Sequence, residues 1–246
     1  IYPIFSMPRE TLLTFLPAFA NIIHKNISQK RGPGKLVLID NANIYEIERL
    51  YSMYPYDGVT TNPSILMNER KNPIKVLQSI RDFLPRSSQL HAQVVSETTE
   101  QMIEEAHFML REIDEQLFIK VPVTAQGMRA IHLLKQEGIN ITATAIYTAM
   151  QAFMAAKAGA RYTAPYVNRL DNMGADGVQV AMDIHSMFRA HNMEADVLAA
   201  SFKNSQQILN LCKHGIGAVT ASPDVLDALI HHDATFTAEE NFTQDF

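Results

Sequence analysis

One lysine stands out for its surroundings. Lys120 lies in Leu117-Phe118-Ile119-Lys120-Val121-Pro122, an otherwise apolar stretch with no acid beside it in sequence. A lysine there either snorkels to solvent or is desolvated, and desolvation disfavours the ammonium and lowers its pKa. Moving a lysine from about 10.4 to about 7–8 takes roughly 4 kcal/mol of differential destabilisation. The result is a neutral amine able to attack a carbonyl, for which Schiff-base formation is the natural use. That chemistry needs proton shuttling. Tyr166 and Gln93, with Thr144 as a third partner, could hold a water for the purpose. Asp40 could bind hydroxyls or act as a base, the alternative being an N-cap for the helix after it. Arg169, three residues past Tyr166, suits an anion. Ser201 and Lys203, with the amides of the following helix N-terminus, would complete an anion cradle. Taken singly, Arg169 and Lys203 read as surface charges and Tyr166 as a rim aromatic; the pattern is what gives them weight.

These residues share a position in the chain's rhythm. Short β-branched runs at 36–40, 58–61, 90–95, 117–121, 139–145, 162–166, 197–202 and 217–221 alternate with helical stretches. Helices are expected over 43–53, 98–112, 125–137, 148–158, 177–189 and 205–213, with stops at Gly138, Gly159 and Gly215. Alternation of this kind implies a parallel sheet. Eight units within 246 residues favour a closed (β/α)₈ TIM barrel over an open doubly wound sheet. No Gly-x-Gly-x-x-Gly follows the first strand, so a dinucleotide site has no support. Active sites in such barrels sit at the C-terminal ends of the strands. There the sequence places Asp40, Thr61 with Asn62, Gln93, Lys120, Thr144, Tyr166 and Ser201. Leaving such groups buried without partners would cost roughly 1–3 kcal/mol each, so a converging ring of them points to a site.

Composition narrows the function classes. A net charge of −5 argues against a nucleic-acid face, which needs clustered Lys and Arg. Hydrophobic residues at 47% imply a folded core. A single cysteine, Cys212, excludes an internal disulfide and a thiolate metal cluster, and fits a cytoplasmic protein. No apolar run reaches the roughly 18 residues needed to span a bilayer. Residues 1–35 read as an N-terminal extension: a short amphipathic helix, then the Gly/Pro linker Lys30–Lys35. The apolar run Thr11–Ala20 lacks the basic flank of a secretory signal. Residues 36–246 form the barrel with a C-terminal helical segment.

The stretches Asp40-Asn41, Gly58-Val59-Thr60-Thr61-Asn62-Pro63-Ser64, Ala92-Gln93-Val94, Phe118-Ile119-Lys120-Val121-Pro122, Thr144-Ala145-Ile146-Tyr147, Ala164-Pro165-Tyr166-Val167-Asn168-Arg169-Leu170-Asp171 and Leu198-Ala199-Ala200-Ser201-Phe202-Lys203 resemble the transaldolase family. Within it they are similar to the small-subunit branch that contains fructose-6-phosphate aldolase. The resemblance runs from about Leu36 to the C-terminus. It implies a barrel with a Schiff-base lysine on the fourth strand, Asp40 and Asn62 at the dihydroxyacetone unit, and Arg169 with Ser201 on the sugar phosphate; Thr61, Ser64 and Lys203 are further substrate-binding candidates. It implies no metal and no organic cofactor. It also implies a homo-oligomer, a pentamer or decamer, acting on small sugar phosphates and not on nucleic acid or membrane.

Transaldolases of the family usually carry Glu at the position of Gln93 and Phe at that of Tyr166, whereas the aldolase branch carries Gln and Tyr, as here. A tyrosine hydroxyl can protonate the enamine so that dihydroxyacetone leaves free; without that donor the enamine waits for an acceptor aldehyde. Fructose 6-phosphate cleavage and formation is therefore favoured, with dihydroxyacetone transfer as the alternative. A non-catalytic sugar-phosphate-binding barrel is the third reading. It has no use for a desolvated Lys120. A metal-dependent aldolase would need clustered histidines, and the nine here are scattered.

Overall fold

The computed structural model describes residues 36–246. The expected N-terminal helix and linker lie outside the described residues. Eight strands close into a barrel in chain order, and every neighbouring pair is parallel. They are β1 (Leu36–Asp40), β2 (Gly58–Thr60), β3 (Gln89–Gln93), β4 (Phe118–Pro122), β5 (Ile141–Ile146), β6 (Tyr162–Pro165), β7 (Asp196–Ala199) and β8 (Ala218–Ala221). The helices are α1 (Ile44–Met53), α2 (Pro63–Asn68), α3 (Pro73–Phe83), α4 (Thr99–Glu112), α5 (Ala125–Gln136), α6 (Ala149–Ala158), α7 (Val167–Asn172), α8 (Gly177–Ala190), α9 (Ser205–His214), α10 (Pro223–Asp227) and α11 (Asp233–Asp245).

Local chemistry sets these boundaries. Asn43, Asn62, Asn72, Thr98, Thr124, Thr148, Asp176 and Asn204 each offer a side-chain oxygen to a free amide of the first turn. Proline opens α2, α3 and α10, where its missing N–H has no intrahelical partner to lose. Gly159 and Gly215 end α6 and α9 in the left-handed conformation. The cap of α1 is Asn43, which removes the N-cap alternative for Asp40.

The strands differ from the sequence reading mainly at their upper ends. The runs expected to 95 and 202 stop at Gln93 and Ala199. Their last apolar residues belong instead to the loops above the barrel, where Val95 is exposed and Phe202 packs on the core edge. Lys120 is also not the last residue of its strand. It lies two positions before Pro122, one pleat inside the barrel.

Apolar packing falls into two regions. The larger joins the outward faces of the strands to the helices, through residues such as Ile39, Val59, Ile119, Val121, Ile131 and Ile184. The smaller lies inside the barrel, where Leu38, Tyr162, Leu198 and Ala218 meet Leu36 and Phe118. This inner plug occupies the lower levels and leaves the upper level to polar groups.

Candidate active site

Along a strand, residues two apart share a face, and residues in register on parallel neighbours face the same way. Gln93, Lys120 and Thr142 are in register across β3, β4 and β5, and Pro122 is in register with Thr144. Lys120 therefore points into the barrel, directly above Phe118. It is only 6% exposed. Its Nζ donates to the Thr61 carbonyl oxygen at 2.6 Å. Burial pushes its pKa below the ordinary lysine value, and Asp40 partly opposes that shift. An acid is thus within electrostatic reach although none is adjacent in sequence, yet desolvation is the larger effect.

Asp40 closes the end of β1. The Thr60 hydroxyl donates to Asp40 Oδ1 at 2.6 Å, and Thr60 Oγ1 is 2.7 Å from Thr220 Oγ1. With the Thr60 proton committed to the carboxylate, Thr220 must be the donor of the second bond. One carboxylate oxygen is fixed by this relay and the other is left to a ligand.

Opposite, Thr144 Oγ1 and Tyr166 Oη are 3.0 Å apart. The guanidinium of Arg169 stacks on the Tyr166 ring at 4.5 Å, and Tyr147 meets that ring edge-on at 5.7 Å. The Tyr147 hydroxyl is the leading reason that the Arg169 pKa sits above the ordinary arginine value.

The remaining expected residues divide. Gln93 is half-buried beside Lys120. Asn62 spends its Oδ1 on the Ile65 amide at the start of α2, leaving its amide nitrogen to a ligand. Thr61 contributes a carbonyl rather than a hydroxyl. Its N–H and its Oγ1 both donate to the His91 carbonyl oxygen, at 2.9 and 3.0 Å. Through its carbonyl, Thr61 also anchors Lys120. Ser64 is exposed on the first turn of α2 and makes no hydrogen bond to the others. Ser201 is half-buried in the left-handed region at φ 62°, its carbonyl accepting from the Asn168 amide at 2.7 Å. Lys203 is exposed.

The anion cradle expected at the start of α9 is already partly filled by the chain itself. The Lys203 amide donates to Gln207 Oε1, and the Gln207 amide donates to Asn204 Oδ1. Gln207 Nε2 in turn holds Asp171 Oδ2 at 2.6 Å. These bonds stitch the 201–204 loop to α7, which carries Arg169.

Sequence reasoning missed a second set of polar residues, one level below. His91 Nδ1 is 2.9 Å from Thr142 Oγ1 and its Nε2 is 3.0 Å from Gln89 Oε1. Gln89 Nε2 donates to Tyr162 Oη at 3.2 Å. The amide oxygen can only accept, so His91 Nε2 carries the proton and Nδ1 accepts from Thr142. The ring stacks on Phe118 at 4.5 Å. Burial, and then the charge of Lys120, holds the His91 pKa well below 6.5. The available signal was period two: Gln89, His91 and Gln93 must share one face. Among the described residues no group of His, Cys, Asp and Glu is placed to hold a metal ion. No helix among them is long and apolar enough to cross a membrane.

A parallel eight-stranded barrel with a buried lysine beneath a ring of polar strand-end residues has the architecture of the aldolase-type enzymes. The family model described as Transaldolase/Fructose-6-phosphate aldolase matches residues 37–246, and the chain belongs to that family. Among solved structures, one described as "Native KDPGal structure" superposes with a TM-score of 0.55 at 16% identity, over 80% of this chain and 85% of that one. At that identity the likeness is one of fold.

Proposed function

We propose that the protein is a class I aldolase that cleaves and forms fructose 6-phosphate through an imine on Lys120. The observation that carries this reading is the burial of Lys120 with its Nζ on a carbonyl oxygen and not on a carboxylate. A carbonyl does not hold the ammonium as an ion pair would, and the neutral amine becomes accessible. Lys120 attacks the ketose carbonyl, and loss of water gives the imine. Asp40 takes the proton of the C4 hydroxyl as the C3–C4 bond breaks, and glyceraldehyde 3-phosphate departs. Tyr166, aligned by Thr144 and assisted by a water held with Gln93, protonates the enamine. Hydrolysis then frees dihydroxyacetone and restores Lys120. Asn62 binds the dihydroxyacetone unit, while Arg169, Ser201 and Lys203 attract the phosphate.

Borohydride trapping with dihydroxyacetone tests this reading. Reduction of an imine on Lys120 would block tryptic cleavage there and leave Glu112–Arg129 as one heavier peptide. An unmodified Lys120 in folded protein would reject the mechanism and favour a binding barrel. The second reading, transfer of the dihydroxyacetone unit to an acceptor, uses the same imine. Turnover with and without acceptor aldehyde separates the two; the Tyr166 hydroxyl beside Thr144 favours cleavage. We further propose a cytoplasmic homo-oligomer. The wholly unburied α11, with Phe236 and Phe242 exposed, supplies apolar surface for such an assembly.

A further inference from the structure

Strand β5 contains an irregularity whose effect is to turn one side chain into the site. Its pairing with β6 runs Thr142↔Tyr162 and Ala143↔Thr163, then resumes at Ile146↔Pro165. Three steps on β5 match two on β6, so one residue is extra. Ala145 absorbs it in the left-handed region at φ 57°, a conformation that an alanine adopts only where its surroundings impose it. Thr142 and Thr144 face the barrel interior, and strict alternation would place Ile146 there next. The added residue sends Ile146 outward into the helix-facing core, where it is fully buried, and gives the inward position to Tyr147. The Tyr147 backbone is held from behind: its amide donates to Gln151 Oε1 at 2.9 Å, an oxygen that also serves the capping box of α6.

In that position Tyr147 touches Tyr166 edge-on and faces the guanidinium of Arg169. Arg169 is exposed and carries a long, flexible side chain, which would otherwise sample solvent broadly. The Tyr166 ring fixes the plane of the guanidinium, and Tyr147, edge-on to that ring, brings its hydroxyl to bear on the same charge. Tyr166 is also engaged with Thr144, so Tyr147 is the partner whose hydroxyl serves Arg169.

From this geometry we infer that Tyr147 is a positioning residue that aims Arg169 at the phosphate of the substrate and so sets the preference for phosphorylated over unphosphorylated sugars. The inference rests on the anion-binding part of the proposed function. A hydrogen bond to a charged group is strong enough for its loss to change binding roughly tenfold.

The test compares kcat/KM for synthesis from dihydroxyacetone with glyceraldehyde 3-phosphate and with glyceraldehyde. In Tyr147→Phe the ratio of the two should fall about tenfold, carried by KM for the phosphorylated aldehyde. A structural role would lower both substrates alike and leave the ratio unmoved, and that result would overturn the inference. In an Arg169→Ala background the Tyr147→Phe change should produce no further drop in the ratio; a further drop would equally overturn it. Calorimetric titration with inorganic phosphate reads the same aim without turnover. Weaker binding in Tyr147→Phe supports the inference, and equal binding by the two proteins counts against it. Borohydride trapping with dihydroxyacetone, which carries no phosphate, keeps the two ideas apart. Untrapped parent protein sinks the imine mechanism, whereas trapped parent with an unchanged substrate ratio in the variant sinks only the role of Tyr147.

Discussion

Two levels inside the barrel are built from similar polar residues and behave in opposite ways. At the level of His91, polar groups answer one another: Thr142 donates to the imidazole, the imidazole to Gln89, and Gln89 to Tyr162. One pleat higher, Gln93, Lys120, Thr144 and Tyr166 bring donors and acceptors to the upper end of the barrel that are not all answered from within. His91, Thr142 and Tyr162 of the lower network are buried, with Phe118 stacked on the imidazole, and its groups gain their stability from one another. The upper level keeps Asp40 restrained at one oxygen only and Lys120 on a single carbonyl. Similar chemistry therefore serves as a floor when its partners are all internal, and as a site when some partners are missing.

Replacing Lys120 separates the two levels most sharply. Lys120→Met should reduce turnover to the uncatalysed background and abolish borohydride trapping, while the fold persists. Its stability should change in the opposite sense from its activity. With the Lys120 pKa depressed in the folded state, the unfolded chain binds more protons at pH values between that depressed pKa and 10.5. Stability from this group thus rises with pH across that window, and the Met variant should lose the rise. Activity assays with thermal melts across pH would check both halves. Loss of the fold in Lys120→Met would mean that the lysine is a structural member of the floor.

Next in size is the division of labour at the upper level. Tyr166→Phe, with or without Gln93→Glu, should lower release of free dihydroxyacetone on the order of a hundredfold, within the usual range for loss of a general acid. Transfer to an acceptor aldehyde should fall much less. Unchanged product ratios would remove Tyr166 as the proton donor.

The floor should answer to a different measurement. His91→Phe keeps an aromatic ring against Phe118 but leaves Gln89 Oε1 and Thr142 Oγ1 without their partners. Thr142 is buried, and a stranded buried group costs about 1–3 kcal/mol, so stability should fall while the substrate ratio stays near that of the parent. The pH dependence gives a second check. Because His91 stays neutral in the folded barrel, the unfolded chain takes up a proton that the folded one refuses as pH falls through 6.5. The parent therefore loses stability on the acid side of 6.5, and the variant should show a shallower acid slope in urea titrations at successive pH values. An identical slope would mean that His91 titrates normally.

How much of this was legible in the sequence follows the same division. The eight strands could be read because each carries a β-branched run between helix stops, and Lys120 because charge within an apolar strand is conspicuous. The desolvation expected of it from its apolar neighbours agrees with its burial, and β4 runs on to Pro122, two residues beyond it. Thr61 was legible as a strand-end polar residue, but not that its hydroxyl would turn to a neighbouring strand's carbonyl. The floor was not read at all. Its bonds join β3 to β5 and β6 across the barrel interior, and closure of the barrel, rather than any local pattern, brings those strands face to face. Tyr147 was missed for a related reason. The single added residue at Ala145 reverses the alternation that a period-two reading assumes.

The smallest expected effect probes the lower end of the floor. Tyr162→Phe retains a ring that packs with Phe118 and His91, and removes only the hydroxyl that accepts from Gln89 Nε2 at 3.2 Å. The bond is long and neutral, and Gln89 is only partly buried, so its amide can turn to water when the acceptor is lost. The cost should be about 0.5–1.5 kcal/mol, a modest drop in the urea midpoint with an unchanged slope. If Gln89 instead swings away and releases His91 Nε2, the loss should approach that of His91→Phe and the acid slope should change with it. A small effect would show that the network is a chain of separable bonds, each neighbour holding when one is cut. A large one would show that the floor is a single cooperative unit, so that the rigidity offered to Lys120 from below depends on a hydroxyl two strands away.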